Sequence, residues 1–532
     1  MSDGATAGVD TVHTLPSIVA DPAVTTALAA DLTAAGFTVD RLDSLWGAEA
    51  AASLHRGSRV AALRALAARE TTPLGTLATL FVLGLPVARS EAAVAFPTAA
   101  LDAVIAAGLL RSDGDGDGSG ADALVHPTVD LRPYAFVDDL GAGSWWIVSD
   151  LGELALGHAI SEEHVLGIGG ATTTLSGLQV PVPVERVLDL GTGCGIQAMH
   201  ARRFADQVVA TDISRRALDI ARFNARLNGI DGIDFRFGSL FEPVAGERFD
   251  RIVSNPPFVI TPRREGVPSY EYRDGGMVGD ALVETVLRGL SDHLEPGGTA
   301  QLLGNWEYHW GVDGLDRVRA WFADTDLDVW VIERERQDPT SYAETWIRDG
   351  GTKPGTAEFD TLMGAWLDDF ADRRVTGVGF GYVVVRRPRP GGPSGLRRFE
   401  QVPETLGSNP AGLGATVARV LDAAAWLAAH DDAALAAAHL SVAGDVTEER
   451  YYWPGNDDPT VMTLVQGGGL GRRADADTAL AAFVGACDGD LSVAAIIGAL
   501  AQITGVDEQA LAADLLPAAR DLVLDGLLVP AA

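Results

Sequence analysis

The residues whose types and spacing can do chemistry lie between Val187 and Phe258. The run VLDLGTGCG, residues 187–195, reads as a short buried strand that empties into Gly191, Gly193 and Gly195, and the following IQAMHARRFA has a helical pattern. A strand, glycine turn and helix in that order let the backbone pass close to a ligand, because Cβ atoms are missing there. The helix N-terminus offers free N–H groups. A second strand, VVATD, ends on the carboxylate of Asp212, where an acid in a nucleotide-binding βαβ unit accepts hydrogen bonds from ribose hydroxyls. Farther on, FDRIVSNPPF reads as a fourth strand, residues 249–254. Asn255, Pro256, Pro257 and Phe258 leave its carboxyl end, where open α/β sheets bind ligands.

A dinucleotide-binding fold shares most of these features, and the details separate the two. The glycines fall as GxGxG, so the third glycine of a dinucleotide GxGxxG would fall at Ile196. Asp189 stands two residues before the first glycine, an acid that repels a pyrophosphate and suits a cationic ligand.

With the glycine turn and NPPF at this spacing, the chain resembles the class I S-adenosylmethionine-dependent methyltransferases. The likeness is to their small-domain (N/D)PP(F/Y) N-methyltransferase group, which includes rRNA guanine-N2 and release-factor glutamine methyltransferases. It covers residues 184–387. The resemblance implies an α/β fold, a seven-stranded doubly wound (Rossmann-like) sheet whose last strand inserts antiparallel in a late hairpin. It implies S-adenosyl-L-methionine as cofactor, held by Asp189, Gly191, Thr192, Gly193, Gly195, Asp212, Ile213, Ser239, Leu240 and Asn255. Ser239 stands where relatives often carry an acid near the adenine amine. Residues 167–173 lie where relatives fold a stretch over the cofactor, an ordinary loop being the alternative.

An exocyclic amine is a poor nucleophile because its lone pair is delocalised into a ring or carbonyl. In the arrangement the resemblance implies, Asn255 Oδ1 and the Pro256 carbonyl accept its two N–H bonds, Pro256 and Pro257 stiffen the turn, and Phe258 stacks on the planar group. No metal is required. Between strands four and five, ITPRREGVPSYEYRDGGMVGD is too long for a plain connector. It sets Arg263, Arg264, Tyr272 and Arg273 where they would hold a flat base and its phosphate, or a peptide, a solvated loop being the bland alternative. A nucleic-acid base, with RNA favoured over DNA, is the leading acceptor on this reading. A protein glutamine is the alternative, and a noncatalytic nucleic-acid-binding or scaffold protein a further one. An NAD enzyme is disfavoured by the glycine spacing.

The 532 residues are enough for about three domains to position these side chains. The expected divisions are a helical, winged-helix-like domain at 1–140, the methyltransferase domain at 141–390 and a second helical, winged-helix-like domain at 391–532. Helical spacing marks residues 22–35, 48–54 and 60–68, and from Pro73 the order helix, loop, helix, strand fits a winged helix. Its acidic wing tip, SDGDGDGSGAD, places Asp113, Asp115 and Asp117 like the first half of a calcium loop, but the twelfth position is Leu124 where a bidentate Glu is needed. RRPRPGGPSG is the clearest linker. Beyond it come an alanine-rich helix at 411–440, a strand pair around YYWPGNDDP, and three final helices before GLLVP; LDAVIAAGLL and ARDLVLDGLL echo each other.

A formal charge of −33, from 40 basic and 73 acidic residues, disfavours nonspecific adhesion to nucleic acid or anionic membranes. Cys194 and Cys487 form no disulfide framework, and the first ten residues lack a signal-peptide pattern, so a reducing cytoplasm is the expected compartment. The most apolar window, residues 71–88, is bounded by Pro73 and Pro86 and too short to span a bilayer, so no membrane partner is expected.

Overall fold

The computed structural model describes residues 16–113, 123–156, 161, 163–264, 266–268 and 273–531. Its centre is a sheet of eight strands: β1 (Val184–Leu190), β2 (Ala205–Asp212), β3 (Ile233–Phe237), β4 (Phe249–Ser254), β5 (Leu294–His309), β6 (Asp328–Gln337), β7 (Val375–Arg386) and β8 (Arg397–Gln401). They lie in the order β8-β6-β7-β5-β4-β1-β2-β3. Only β7 runs antiparallel to its neighbours, inserted between β5 and β6.

Residues 187–190 of β1 are all buried, as a parallel strand covered on both faces requires. Val187 packs with Ala198 and Ala201 of helix Ile196–Arg202, while Leu188 and Leu190 pack with Val283, Val286 and Leu287 of helix Ala281–His293. The sheet reverses its strand order between β1 and β4. Leu190 is in register with both Thr211 of β2 and Ser254 of β4, so three carboxyl ends stop at one level, where a doubly wound sheet leaves its crevice.

All seven expected strands are present, and two features extend the expectation. The eighth strand, β8, pairs parallel with β6 just past the linker; of its five residues only Phe399 is apolar, so no alternation announced it. Strands β6 and β7 pair antiparallel but are not joined as a tight hairpin, because helices Pro339–Asp349 and Ala357–Asp372 intervene. These helices bury Tyr342, Ile347, Trp366 and Phe370 against Val259 and Ile260, directly after NPPF.

The first module begins with helix Pro22–Ala35, capped by Asp21, whose carboxylate accepts the N–H groups of Ala23 and Val24, and ended by Gly36 in the left-handed region. Farther on, helices Arg89–Ala95 and Leu101–Ala106 lie between short strands in the winged-helix order. The three strands, Val87–Ala88, Leu124–Pro127 and Leu110–Ser112, pair antiparallel in that spatial order. The wing tip with Asp115 and Asp117 lies outside the described residues. A long hairpin, Val129–Asp138 with Gly141–Asp150, crosses position 140 and packs onto the core.

At the other end, strand His439–Val442 sits between Asp488–Ser492 and Leu528–Pro530, again all antiparallel. The sequence echo is thus a structural one, with the central strand supplied from upstream of the helices instead of downstream. The three helices expected before the last strand are two, Val493–Thr504 and Glu508–Leu524, since the second continues through Pro517. Helix Gly414–Ala429 lays Val417, Val420 and Leu421 against Leu175, Leu178, Trp330 and Val384, sealing this module to the central sheet. Among the described residues no helix is long and apolar enough to cross a membrane.

Candidate active site

A cavity of about 470 Å³ opens at the carboxyl ends of β1, β2 and β4, within the usual volume range of small-molecule sites. The glycine turn forms its floor. Gly191 and Gly193 have φ of 77° and 54°, and a Cβ on either would meet nothing within 4 Å, so both keep a clear approach to the backbone. Gly195 serves packing: a Cβ there would stand 2.8 Å from that of Ala221 on helix Arg215–Leu227. Asp212 ends β2 on the cavity wall and accepts the N–H groups of Gly193, at 2.9 Å, and Ser214, at 2.8 Å, locking turn and strand tip together. Burial holds its carboxyl above the usual carboxylate range.

Thr192, Ile213, Ser239 and Leu240 also line the cavity. Leu240 has φ 46°, a left-handed conformation that a branched side chain adopts only where its surroundings enforce it. Asn255, Pro256 and Pro257 form the opposite wall, and Asn255 Oδ1 is buried without a hydrogen-bond partner. In a cavity wall, such an acceptor is placed to take a ligand's donor. Beneath them, Ser254 Oγ donates to Leu190 O at 2.7 Å, which fixes β4 to β1 at the crevice.

Three family matches cover much of the chain. Residues 34–121 match the Domain of unknown function (DUF7059), residues 169–308 the Methyltransferase small domain, and residues 418–530 the Domain of unknown function (DUF7782). Residues 169–308 are a methyltransferase small domain. Similar proteins include a release factor glutamine methyltransferase of Xylella fastidiosa strain Temecula1, 41% identical over 132 residues, 23% of this chain and 48% of that protein. A ribosomal protein uL3 glutamine methyltransferase of Bradyrhizobium diazoefficiens is 37% identical over 140 residues, 24% of this chain and 44% of that protein. The chain thus spans about half the length of these relatives. Among solved structures, the 16S rRNA N2 G1207 methyltransferase of T. thermophilus, in complex with AdoMet and guanosine, is 19% identical with a TM-score of 0.25. The alignment covers 42% of this chain and 55% of that one.

The methyltransferase small domain's class uses S-adenosylmethionine, and the cavity fits it: an open glycine floor, a carboxylate at the tip of the second strand, and apolar Ile213 and Leu240. Two sequence expectations for this domain need correcting. Asp189 does not line the cavity; it is wholly buried beneath the turn, where it accepts Thr192 Oγ1–H at 2.6 Å. Without solvent its carboxyl is pushed up to about 7, so it braces the turn and does not face a sulfonium. Phe258 does not line the cavity either. It forms a β-bridge with Asp274, and its ring stands edge-on to Trp346 and Phe380 at 6.4 Å from each, held by helix Pro339–Asp349 and β7.

The arginine loop also differs from its expected role. Arg273 is buried and donates to Trp346 O at 3.0 Å and to Asp349 at 2.8 Å, a helix C-terminus that welcomes a cation. Arg264 is exposed and paired with Asp368 and Asp372, while Arg263 is exposed on the same loop. Tyr272 lies outside the described residues.

The fold adds walls the motifs did not name. Residues 163–167 and Thr172 line the cavity, so of the expected stretch 167–173 only Gly167 and Thr172 reach it, and residues 274–277 line it as well. The latter had no sequence signal, because the bridge between Phe258 and Asp274 brings them in. Cys194 also faces the cavity, but burial pushes its thiol up to about 11, which keeps it protonated and unreactive.

Proposed function

We propose that the chain is an S-adenosylmethionine-dependent N-methyltransferase whose acceptor is the side-chain amide of a glutamine in a protein. The observation that carries the reaction type is the buried, unpartnered Oδ1 of Asn255 in the cavity wall, beside two prolines that restrict the backbone around it. When bound, the cofactor supplies an electrophilic methyl group. Asn255 Oδ1 accepts an N–H of the incoming planar nitrogen, which draws its lone pair out of conjugation and orients it. Because the acceptor is already in place, no reorganisation is needed during reaction. Methylation acidifies the nitrogen, so its proton passes to water without a strong base.

The choice of acceptor class rests on the arginine loop. Arg273 is buried against the end of a helix, and Arg264 pairs at the surface with Asp368 and Asp372, which lowers the positive charge that this loop presents to a phosphate. Phe258 is not among the residues that line the cavity, and its ring packs against Trp346 and Phe380, which disfavours it as the stacking platform a base would use. The formal charge of −33 favours a protein partner over a polyanion. Two similar proteins are named as glutamine methyltransferases.

The test incubates the protein and labelled S-adenosylmethionine with lysate from cells that lack it, then digests with protease or nuclease. Label released by protease alone is the expected result. Label released by nuclease and untouched by protease would overturn the glutamine assignment and install a nucleic-acid base.

A further inference from the structure

In the hairpin that closes the first module, the strand Gly141–Asp150 pairs with Val129–Asp138 on one side only, so its outer backbone groups need other partners. Two asparagines one helical turn apart on Arg215–Leu227 and its C-cap supply them. Asn228 Oδ1 accepts Trp146 N–H at 2.9 Å, and its Nδ2 donates to Trp146 O at 2.8 Å. Asn224 repeats the pattern two strand residues on: Oδ1 accepts Val148 N–H at 2.8 Å, and Nδ2 donates to Val148 O at 2.9 Å. Both side-chain amides imitate the edge of a neighbouring strand.

Asn224 does one thing more. Its Nδ2 also donates to Cys194 O, at 2.9 Å, inside the glycine turn, and its side chain is wholly buried. Two residues beyond Val148, Asp150 takes Val165 N–H on its carboxylate at 2.9 Å and gives its own N–H to Val165 O at 3.0 Å. Cys194 and Val165 both line the cavity. One edge strand therefore holds the floor of the site through Asn224 and its cover through Asp150. At Trp146 the same strand is anchored in the first module, where its indole N–H donates to Phe37 O at 2.7 Å.

We propose that Asn224 is a positioning residue of the cofactor site, and that through it the first module sets how tightly the glycine turn holds S-adenosylmethionine. The inference rests on the cofactor reading above. A turn whose Cys194 carbonyl is tied to a fixed strand presents its N–H groups in one arrangement; untied, the turn must be ordered by the ligand itself, at a cost in affinity.

Asn228 is the built-in control, because it holds the same strand by the same chemistry without touching the turn. Asn224→Asp and Asn228→Asp each keep the acceptor and lose the donor. Both variants are expected to melt below the native chain. Only N224D is expected to bind S-adenosylmethionine more weakly in calorimetry, by about tenfold, the scale for losing one buried hydrogen bond. On the native chain, hydrogen exchange gives a readout that no variant can spoil by misfolding: adding S-adenosylmethionine should slow exchange at the amides of Trp146 and Val148 as well as at residues 191–195. Equal affinity in the two variants, or protection that stops at the cavity wall, would overturn the proposal. A native chain that binds no S-adenosylmethionine would instead overturn the cofactor reading and this inference with it.

Discussion

Asn255 and Asp212 face each other across one crevice, yet the structure gives them separable tasks. Asn255 keeps an acceptor unpaired, whereas Asp212 uses its carboxylate both to pin the glycine turn and to wall the cavity. Asn255→Ala is therefore expected to lower turnover by roughly 10² to 10³, the scale for removing one preorganised polar group, with little change in cofactor affinity. Asp212→Ala should do the reverse, weakening S-adenosylmethionine binding by about 1.5–3 kcal/mol as hydrogen bonds to a charged group are lost. Calorimetry and initial rates on both variants check the division; a full-rate N255A would remove Asn255 from the reaction. Asp189 makes a different prediction. Its carboxyl is pushed up to about 7 in the folded chain, while an unfolded aspartate titrates near 3.8, so between those values the folded state holds a proton that the unfolded state has released. Stability is thus fully present below the lower value, falls as pH rises through the window, and levels off above the upper one. Asp189→Asn keeps an acceptor for Thr192 and removes the titration. Its melting temperature relative to the native chain should rise from pH 4 to pH 7, and a constant difference across that range would contradict the assignment.

Among the elements, helix Pro339–Asp349 decides how the NPPF turn is held. Tyr342, buried on that helix, accepts Ile260 N–H at 2.9 Å and Asn305 Nδ2–H at 3.0 Å through its hydroxyl. Tyr342→Phe keeps the ring and strands both donors, so it should cost about 1–3 kcal/mol in a denaturant titration. Because Ile260 is three residues past Pro257, which lines the cavity, turnover should fall as well, and a variant with native stability would show that both donors find other acceptors. This helix and its successor separate β6 from β7, two strands that a short connection would have joined without covering the loop after NPPF.

For the molecule as a whole, the central sheet does not close by itself. Strand β8 and helix Gly414–Ala429 both follow the linker, yet one pairs with β6 and the other covers Leu175, Leu178, Trp330 and Val384. A chain ending at residue 390 would expose that apolar face and leave the β6 edge unpaired, so it should aggregate or lose its cooperative thermal transition. A monodisperse truncated protein with the native melting temperature would show the C-terminal module to be separable. The first module is bound as closely, sharing a core of Leu32, Phe37 and Val148 with Met199 and Phe223 beside the glycine turn. The segments before and after the central sheet thus share its cores and act as its walls.

The sequence by itself determined the chemistry-bearing frame. GxGxG after a buried strand, Asp212 at the next strand's tip and NPPF at the fourth are local patterns, because strand period, turn geometry and motif spacing are written in consecutive residues. Seven strands and the helix boundaries at Pro22–Ala35 follow from the same local signals. What only the tertiary structure decided is where side chains end up when distant segments meet. Arg273 reads as a substrate cation until helix Pro339–Asp349 offers its C-terminus, and Phe258 reads as a platform until Trp346 and Phe380 pack against it. Asp189 reads as a partner for a cation until Thr192 folds over it and solvent is excluded. Asn224 shows no motif at all; its role arises because a helix and an edge strand 76 residues apart in sequence lie side by side. Burial and pairing depend on the whole fold, and no spacing along the chain encodes them.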